Sequence, residues 1–481
     1  MSAQVLPAPA QVWGTWLEYA RGELWAHLLV SLKRLALGLA CGVAAGAALG
    51  AWMGAAKRAE RLIFPVFSAL AQVPTLAWIP LFMLFFGIGE LLKLVVLVKA
   101  VVVPVTVHTF VGVRDVQPRL KEAAAAMRLP RRVVLRHLIL PAALPSFMAG
   151  LRLAVASGWA ALLAVELLAS SEGIGYLMVW GRQLFMLDLV FVLVIVVGAF
   201  GIALDKGMDR LDRKLVFWPH PPAAALHPAP AQGGERWQAW LLPLALLALW
   251  QLASASGWAH ERILASPFAS LSAAWYGIAD HSLPDALAVS LGRALGGLLI
   301  GGGLGLLLGL AAGLLPWLDR LLGGSLSVLR QVAVFAWVPL LTAWFGLGEA
   351  GKLAFIALIT FFPLFVATRH GIASLSPQLE EAARAMRLSV WLRLTRCTLP
   401  GAAPAIFAGL RLALIYAWLG TIGAEYFMPS DGGIGNLMIG AQQIFRMDTV
   451  MAAMLLIGLA GAAINALGSR LEARITRWRT Q

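Results

Sequence analysis

The chain repeats itself without a gap. Glu122-Ala123-Ala124 returns as Glu381-Ala382-Ala383, 259 positions later. Each glutamate is followed 19 residues on by a proline, Pro141 and Pro400. The two halves stay in register from Ser31/Ser290 to Glu166/Glu425. A long internal repeat means that one supersecondary unit occurs twice. The repeated material is apolar: 60% of the 481 residues are hydrophobic and 13% are charged, where a soluble domain carries roughly a quarter charged. The fold class is therefore all-α and integral to the membrane, two similar bundles in one chain.

The apolar runs predict spans at about 28–55, 64–87, 91–112, 143–170 and 186–205 in the first half. The second half has matching runs at about 287–314, 324–346, 350–370, 402–428 and 447–467. A further run at about 240–257 has no counterpart in the first half. Five helices plus six make eleven. The domains read as 1–215, a first unit of about five spans, then 216–239, a linker, then 240–481, a second unit of about six. The linker holds Pro219, Pro221, Pro222, Pro228, Pro230 and Gly233-Gly234, a composition that does not build a packed core.

The formal net charge is +14. Its basic residues sit in short loops between apolar runs, as the positive-inside rule requires, and form no nucleic-acid-binding face. The loop from Arg114 to Arg136 holds seven of them and its twin, Arg369 to Arg396, five. Lys206, Arg210, Arg213 and Lys214 follow the fifth run, and Arg470, Arg474, Arg477 and Arg479 the last. These segments fall on one side, the cytoplasmic one, with the N-terminus outside and the C-terminus inside. The unpaired run at 240–257 carries the chain back out, so the repeat is parallel. The two cysteines, Cys41 in an apolar run and Cys397 in a basic loop, predict no disulfide. No cleavable signal is apparent in residues 1–27.

Gly42, Gly46, Gly50 and Gly54 recur as Gly301, Gly305, Gly309 and Gly313. Spacing of four puts each set on one helix face, where small residues let two backbones approach in lipid. Gly346 to Lys352 imitates the start of a phosphate-binding loop, but Leu353 stands where Ser or Thr must hold magnesium. The chain is expected to carry no ATPase, no cofactor and no metal, and to perform no catalysis.

The repeated Glu-Ala-Ala, with Leu140-Pro141 and Leu399-Pro400 behind it, resembles the coupling motif of ABC importer permeases. Further pairs narrow the resemblance. They are Gln72-Val-Pro-Thr-Leu-Ala-Trp78 with Gln331-Val-Ala-Val-Phe-Ala-Trp337, and Phe86-Gly-Ile-Gly-Glu90 with Phe345-Gly-Leu-Gly-Glu349. Gly150-Leu-Arg-Leu with Gly409-Leu-Arg-Leu, and Gly173-Ile-Gly with Gly433-Ile-Gly, complete the set. This set is similar to the nitrate, sulfonate, taurine and bicarbonate group, here as a fused tandem of two permease units.

The resemblance implies the following. The loops at Glu122, Ala123, Ala124 and Pro141, and at Glu381, Ala382, Ala383 and Pro400, dock on two copies of an ATPase subunit, which binds the ATP and magnesium. A periplasmic or lipid-anchored solute-binding protein delivers a small anion such as a sulfonate, taurine, nitrate or bicarbonate. The location is the bacterial inner membrane, and a second permease chain is not needed. Pyrimidine-like or aromatic solutes are the alternative. The family pattern has glycine six residues after the glutamate, whereas this chain has Arg128 and Arg387, which puts the usual turn in question.

Charges within the runs are the candidates for the solute path. Lys99 lies midway along the third run, where a lysine is unfavourable by roughly 2.5–3.5 kcal/mol, and its twin is Leu358. It either faces an anionic solute or pairs with a carboxylate such as Glu166. Glu166 and Glu425, with Trp159 and Trp418, are the remaining path candidates. Intramembrane charges also suit an ion-gradient-driven secondary transporter, in which Lys99, Glu166 and Glu425 would form a relay and the two loops would have no task.

Overall fold

The computed structural model describes residues 6–218, 238–256, 264–376, 378, 381, 383 and 385–475. They are helical nearly throughout, as a backbone in lipid must be to satisfy its own N–H and C=O groups. They form two compact units, one within 1–269 and one within 270–481.

The first unit runs α1 (Pro9–Ala20), α2 (Leu24–Ala55), α3 (Lys57–Gln72), a 3₁₀ turn (Thr75–Trp78), α4 (Ile79–Phe86) and α5 (Glu90–Arg114). Then come α6 (Pro118–Ala126), α7 (Arg131–Val134), a π turn (Leu135–Ile139), α8 (Leu140–Ala169), α9 (Ile174–Gln183), α10 (Leu187–Leu215) and α11 (Gln238–Ala255). The helix α11 packs on α3. At the core, α5 lies between α2 and α8. The glycine face explains the α2–α5 contact. A Cβ on Gly42 would stand 2.6 Å from Val101 Cγ1, and one on Gly50 would stand 2.5 Å from the Thr106 carbonyl oxygen. Only glycine allows so close an approach. Gly38, one turn earlier, extends the face, meeting Leu97 Cβ at 2.7 Å.

The second unit repeats this order. After α12 (Pro267–Ala279), which begins at the junction, come α13 (Ser282–Gly297), a π turn (Leu298–Gly302) and α14 (Gly303–Leu314). Next are α15 (Pro316–Leu329), a 3₁₀ turn (Val334–Trp337), α16 (Val338–Phe345) and α17 (Glu349–Ala373). Last are α18 (Val390–Arg393), a π turn (Leu394–Thr398), α19 (Leu399–Phe427), α20 (Ile434–Gln443) and α21 (Met447–Ile475). Here α17 sits between α14 and α19, and Gly305 and Gly309 abut Phe361 and Phe365.

The count of spans differs from the eleven expected. Among the described residues eight helices are long and apolar enough to cross a membrane, or up to ten if each of two bent pairs is one span. The runs expected at 64–87 and 324–346 are those pairs, each bent by 94°. Pro80 and Pro339 sit in the first turn of α4 and α16. Proline starts these helices without strain, and the bends themselves fall earlier, at the breaks that follow Gln72 and Leu329. The expected eleventh span, α11, has an apolar stretch of Trp240–Ala255 that is too short to count, since crossing takes about 20 residues. The fourth span of the first half, expected from 143, starts at Arg131 and continues through the π turn to Ala169.

Candidate functional site

The basic loops come first. In the first unit α6 carries Glu122 and Ala123 on its exposed side, while Ala124 is buried. The helix ends as Arg128 N–H donates to Ala125 O at 2.9 Å and Leu129 N–H donates to Ala124 O at 3.1 Å. These are the two bonds of a Schellman motif, with Arg128 as its left-handed residue. Arg128 has φ of 52° and Arg387 has φ of 51°. In the second loop Leu388 N–H donates to Ala383 O at 3.1 Å, so the same turn closes there. The turn put in question by the loss of glycine is thus kept, with an arginine in a conformation that suits glycine. Glu381 and Arg387 are exposed and Ala383 is buried, while Ala382 lies outside the described residues.

Sequence reasoning missed Met127 and Met386, which are 69% and 65% exposed beside these glutamates. The signal was present as the shared Ala-Met-Arg-Leu at 126–129 and 385–388. An exposed thioether with a carboxylate and a guanidinium close in sequence makes a compact mixed surface, and methionine adapts well to a docking partner. Pro141 and Pro400 sit in the first turns of α8 and α19, next to the π turns. Each loop therefore feeds directly into one long helix of its unit.

A second repeated feature is a buried polar node. Arg34 Nη1 donates to Glu166 Oε1 at 2.8 Å, and Arg34 Nη2 donates to Glu90 Oε1 at 2.6 Å. Ser31 Oγ donates to Glu166 at 2.9 Å and accepts from Ile174 N–H at 3.0 Å. Gly175 N–H donates to Glu166 Oε2 at 3.0 Å. The second unit has the same set. Arg293 bonds Glu425 at 2.7 Å and Glu349 at 2.8 Å, Ser290 bonds Glu425 at 2.7 Å, and Gly435 N–H bonds Glu425 at 2.7 Å. Glu166 and Glu425 are 1% and 0% exposed. A buried carboxylate is tolerable only when its lone pairs are filled in this way. Gly173 and Gly433 have φ of 108° and 95°, and a Cβ at either would strike the adjoining carboxylate. The node ties α2, α5, α8 and the start of α9 together, and its twin does the same for α13, α17, α19 and α20. Lys93 donates to Glu90 at 2.7 Å, and its twin Lys352 donates to Ser430.

Lys99 is placed elsewhere. Its Nζ donates to Val73 O at 2.8 Å and to Thr75 Oγ1 at 3.4 Å, and lies 5.5 Å from the Trp78 ring centroid. The carboxylate considered for it, Glu166, is engaged by Arg34 instead. Lys99 therefore sits at the break between α3 and α4, against a carbonyl freed by that break. The Nε1 of Trp78 is buried with no hydrogen-bond partner among the described residues. The second unit has Val334 and Leu358 at these positions, and Phe335 there packs on Phe355 and Phe427 at centroid distances of 5.7 and 5.4 Å. Trp159 and Trp418 are 3% and 2% exposed. Trp159 lies beside Phe200 at 6.5 Å, and Trp418 Nε1 donates to Ile457 O at 3.2 Å.

Two copies of one multi-span helical unit, each with an exposed polar loop feeding a long membrane helix, define the chain as a duplicated multi-span membrane protein. The chain belongs to the family of binding-protein-dependent transport system inner membrane components, whose model matches residues 42–217 and again 301–481. Within it the chain is a fused tandem permease of an ABC importer, of the sulfonate, taurine, nitrate and bicarbonate group. It is 41% identical over 239 residues to SsuC of Escherichia coli (strain K12), a protein named for aliphatic sulfonates transport. That alignment covers 50% of this chain and 90% of the relative. It is 33% identical to the taurine transport system permease protein TauC of the same organism, over 45% of this chain and 82% of the relative. It is 30% identical to the bicarbonate transport system permease protein CmpB of Synechococcus elongatus, over 50% and 88%. Each relative has about the length of one unit. As a member of this family the chain is a multi-pass inner-membrane protein that works with an ATPase partner.

Proposed function

We propose that this chain forms the whole translocation path of an ATP-driven importer for a small organic or inorganic anion, with sulfonates and taurine foremost. The two units supply the paired halves that separate permease chains supply elsewhere. A second permease chain is then unnecessary. Two ATPase subunits dock on the loops around Glu122, Met127 and Arg128, and around Glu381, Met386 and Arg387. In this reading α11, though short for a span, carries the chain back across between the units, so both loops face the cytoplasm with the C-terminus, while the N-terminus and the C-terminal ends of α8 and α19 lie outside, where a solute-binding protein delivers its cargo. Closure of the ATPases draws the loops together, and α8 and α19 carry that movement across the membrane.

The observation that carries this reading is the duplicated loop surface, with the same exposed glutamate, methionine and left-handed arginine in each unit. Lys99 supports an anionic solute, since its ammonium group lies at a helix break and no carboxylate pairs with it among the described residues. Glu166, Glu425, Trp159 and Trp418 are packed inside their own units, so Lys99 is the path residue proposed here and the glutamates are framework. Proteoliposomes holding the permease, its ATPase and its binding protein test the reading. Uptake of labelled taurine or an alkanesulfonate should require ATP and be indifferent to ionophores. Uptake driven by an ion gradient without ATP would instead favour a secondary transporter.

A further inference from the structure

The two basic loops are not copies of each other. From Gln117 to Val134 the first carries five cations and one carboxylate, whereas the second, from Ser376 to Arg393, carries three and two. The difference is sharpest in the short helix that follows each left-handed turn. In the first unit α7 opens with Arg131 and Arg132, and in the second α18 opens with Val390 and Trp391. Arg131 and Arg132 are exposed, and neither has an ion pair among the described residues. Trp391 is 72% exposed, and Leu392, next in sequence, is 40% exposed.

Lipid does not cover these side chains. Trp391–Phe427 is one helix of 37 residues and Arg131–Ala169 is one of 39, about 55 and 58 Å long at 1.5 Å per residue. A bilayer with its headgroups is about 40–45 Å thick. About 10 Å or more of each helix therefore stands clear of the membrane. The clear end is the charged one. Arg393 and Arg396 separate Trp391 from the apolar run, as Arg136 and His137 separate Arg132 from its own. An indole left open to water on that side calls for an apolar surface on a protein.

We propose that the first loop holds its ATPase subunit by charge, and that the second holds its copy by burying the Trp391 ring in an apolar pocket. The proposal rests on the docking reading of the loops given above. Both ATPase copies have the pocket, but only the second loop has a ring to fill it. Tryptophan and arginine both anchor protein interfaces, yet they answer differently to salt. Rim charges lose their hold as ionic strength rises, whereas a buried ring keeps its own. The two copies are then bound unequally, and the copy on the first loop is the one that leaves and returns as conditions change.

The test uses the full-length permease in nanodiscs of neutral lipid, and counts ATPase copies per permease by mass at two salt concentrations. The parent should carry two copies in about 50 mM salt and one in about 500 mM. Trp391→Ala should carry close to one copy at low salt and almost none at high salt. Arg132→Trp, which gives the first loop the second loop's ring, should keep both copies at high salt, a gain that misfolding cannot imitate. Both parent copies leaving together, or Trp391→Ala matching the parent, would overturn the proposal. So would a salt effect seen only with anionic lipid in the disc, since that would assign the arginines to headgroups. No ATPase bound at any salt would instead refute the docking reading itself, and the proposal with it.

Discussion

The Arg34 guanidinium lies 2.8 Å from the Glu166 carboxylate, with side chains 7% and 0% exposed. Arg293 and Glu425 repeat the pair at 2.7 Å. The residues are 132 positions apart in each case, so the bond joins α2 to α8 in the first unit and α13 to α19 in the second. Removing Arg34 leaves the buried Glu166 without its cation, whereas removing Glu166 leaves Arg34 with Glu90 but deprives Ser31 Oγ and the Gly175 N–H of their buried acceptor. Glu166→Ala is expected to destabilise the protein by about 3–5 kcal/mol, read as loss of monodisperse protein in detergent or a large fall in Tm. Glu425→Ala should do the same. Full stability of Glu166→Ala alone would refute the framework role.

Arg128 and Arg387 hold left-handed conformations that suit glycine. Arg128→Gly and Arg387→Gly should each relieve about 1 kcal/mol of backbone strain, and the double variant should melt no lower than the parent. If the guanidinium groups contact the ATPase, the same variant should lose affinity for that subunit, measured by titration in nanodiscs. A fall in Tm would show that the arginines hold the turn by side-chain contacts instead.

The glycine face predicts a contrast between positions. A methyl group on Gly50 would meet Thr106 O at 2.5 Å and Thr109 Cβ at 2.8 Å, whereas one on Gly303 would meet nothing within 4 Å. Gly50→Ala should therefore destabilise by about 1–3 kcal/mol through overpacking. Gly303→Ala, inside a helix, should be neutral or stabilising by up to about 1 kcal/mol. Thermal unfolding of the two variants side by side checks the close approach of α2 and α5.

Much of this was legible in the sequence for stated reasons. Hydropathy marks helices because lipid admits few alternatives, and the 259-residue register marks the duplication. What stayed hidden depended on contacts between distant segments. Arg34 follows Lys33 in a long apolar run, with no carboxylate near it in sequence to single it out until Glu90 and Glu166 arrive 56 and 132 residues later. The breaks before Pro80 and Pro339 are masked because apolarity continues through them. They turn two expected spans into bent pairs and take the count below eleven. Lys99 was visible as an anomaly, but its partners, Val73 O and Thr75, exist only because that break frees a carbonyl.

Lys99 gives the sharpest prediction about the solute. Lys99→Leu, which copies the second unit's Leu358, should lower uptake of an anionic solute about ten-fold or more while the ATPase still co-purifies. Lys99→Arg, which keeps the charge, should retain more transport than Lys99→Leu. Undiminished uptake in Lys99→Leu would remove this residue from the path.

The central claim is that one chain presents both ATPase docking loops. It is tested most directly by co-purification of the ATPase with variants of the two exposed glutamates. Glu122→Ala or Glu381→Ala alone should reduce the ATPase recovered per permease from two copies toward one. The double variant should recover almost none, with ATP-driven uptake lost. Two ATPase copies retained on the double variant, with normal uptake, would contradict the account.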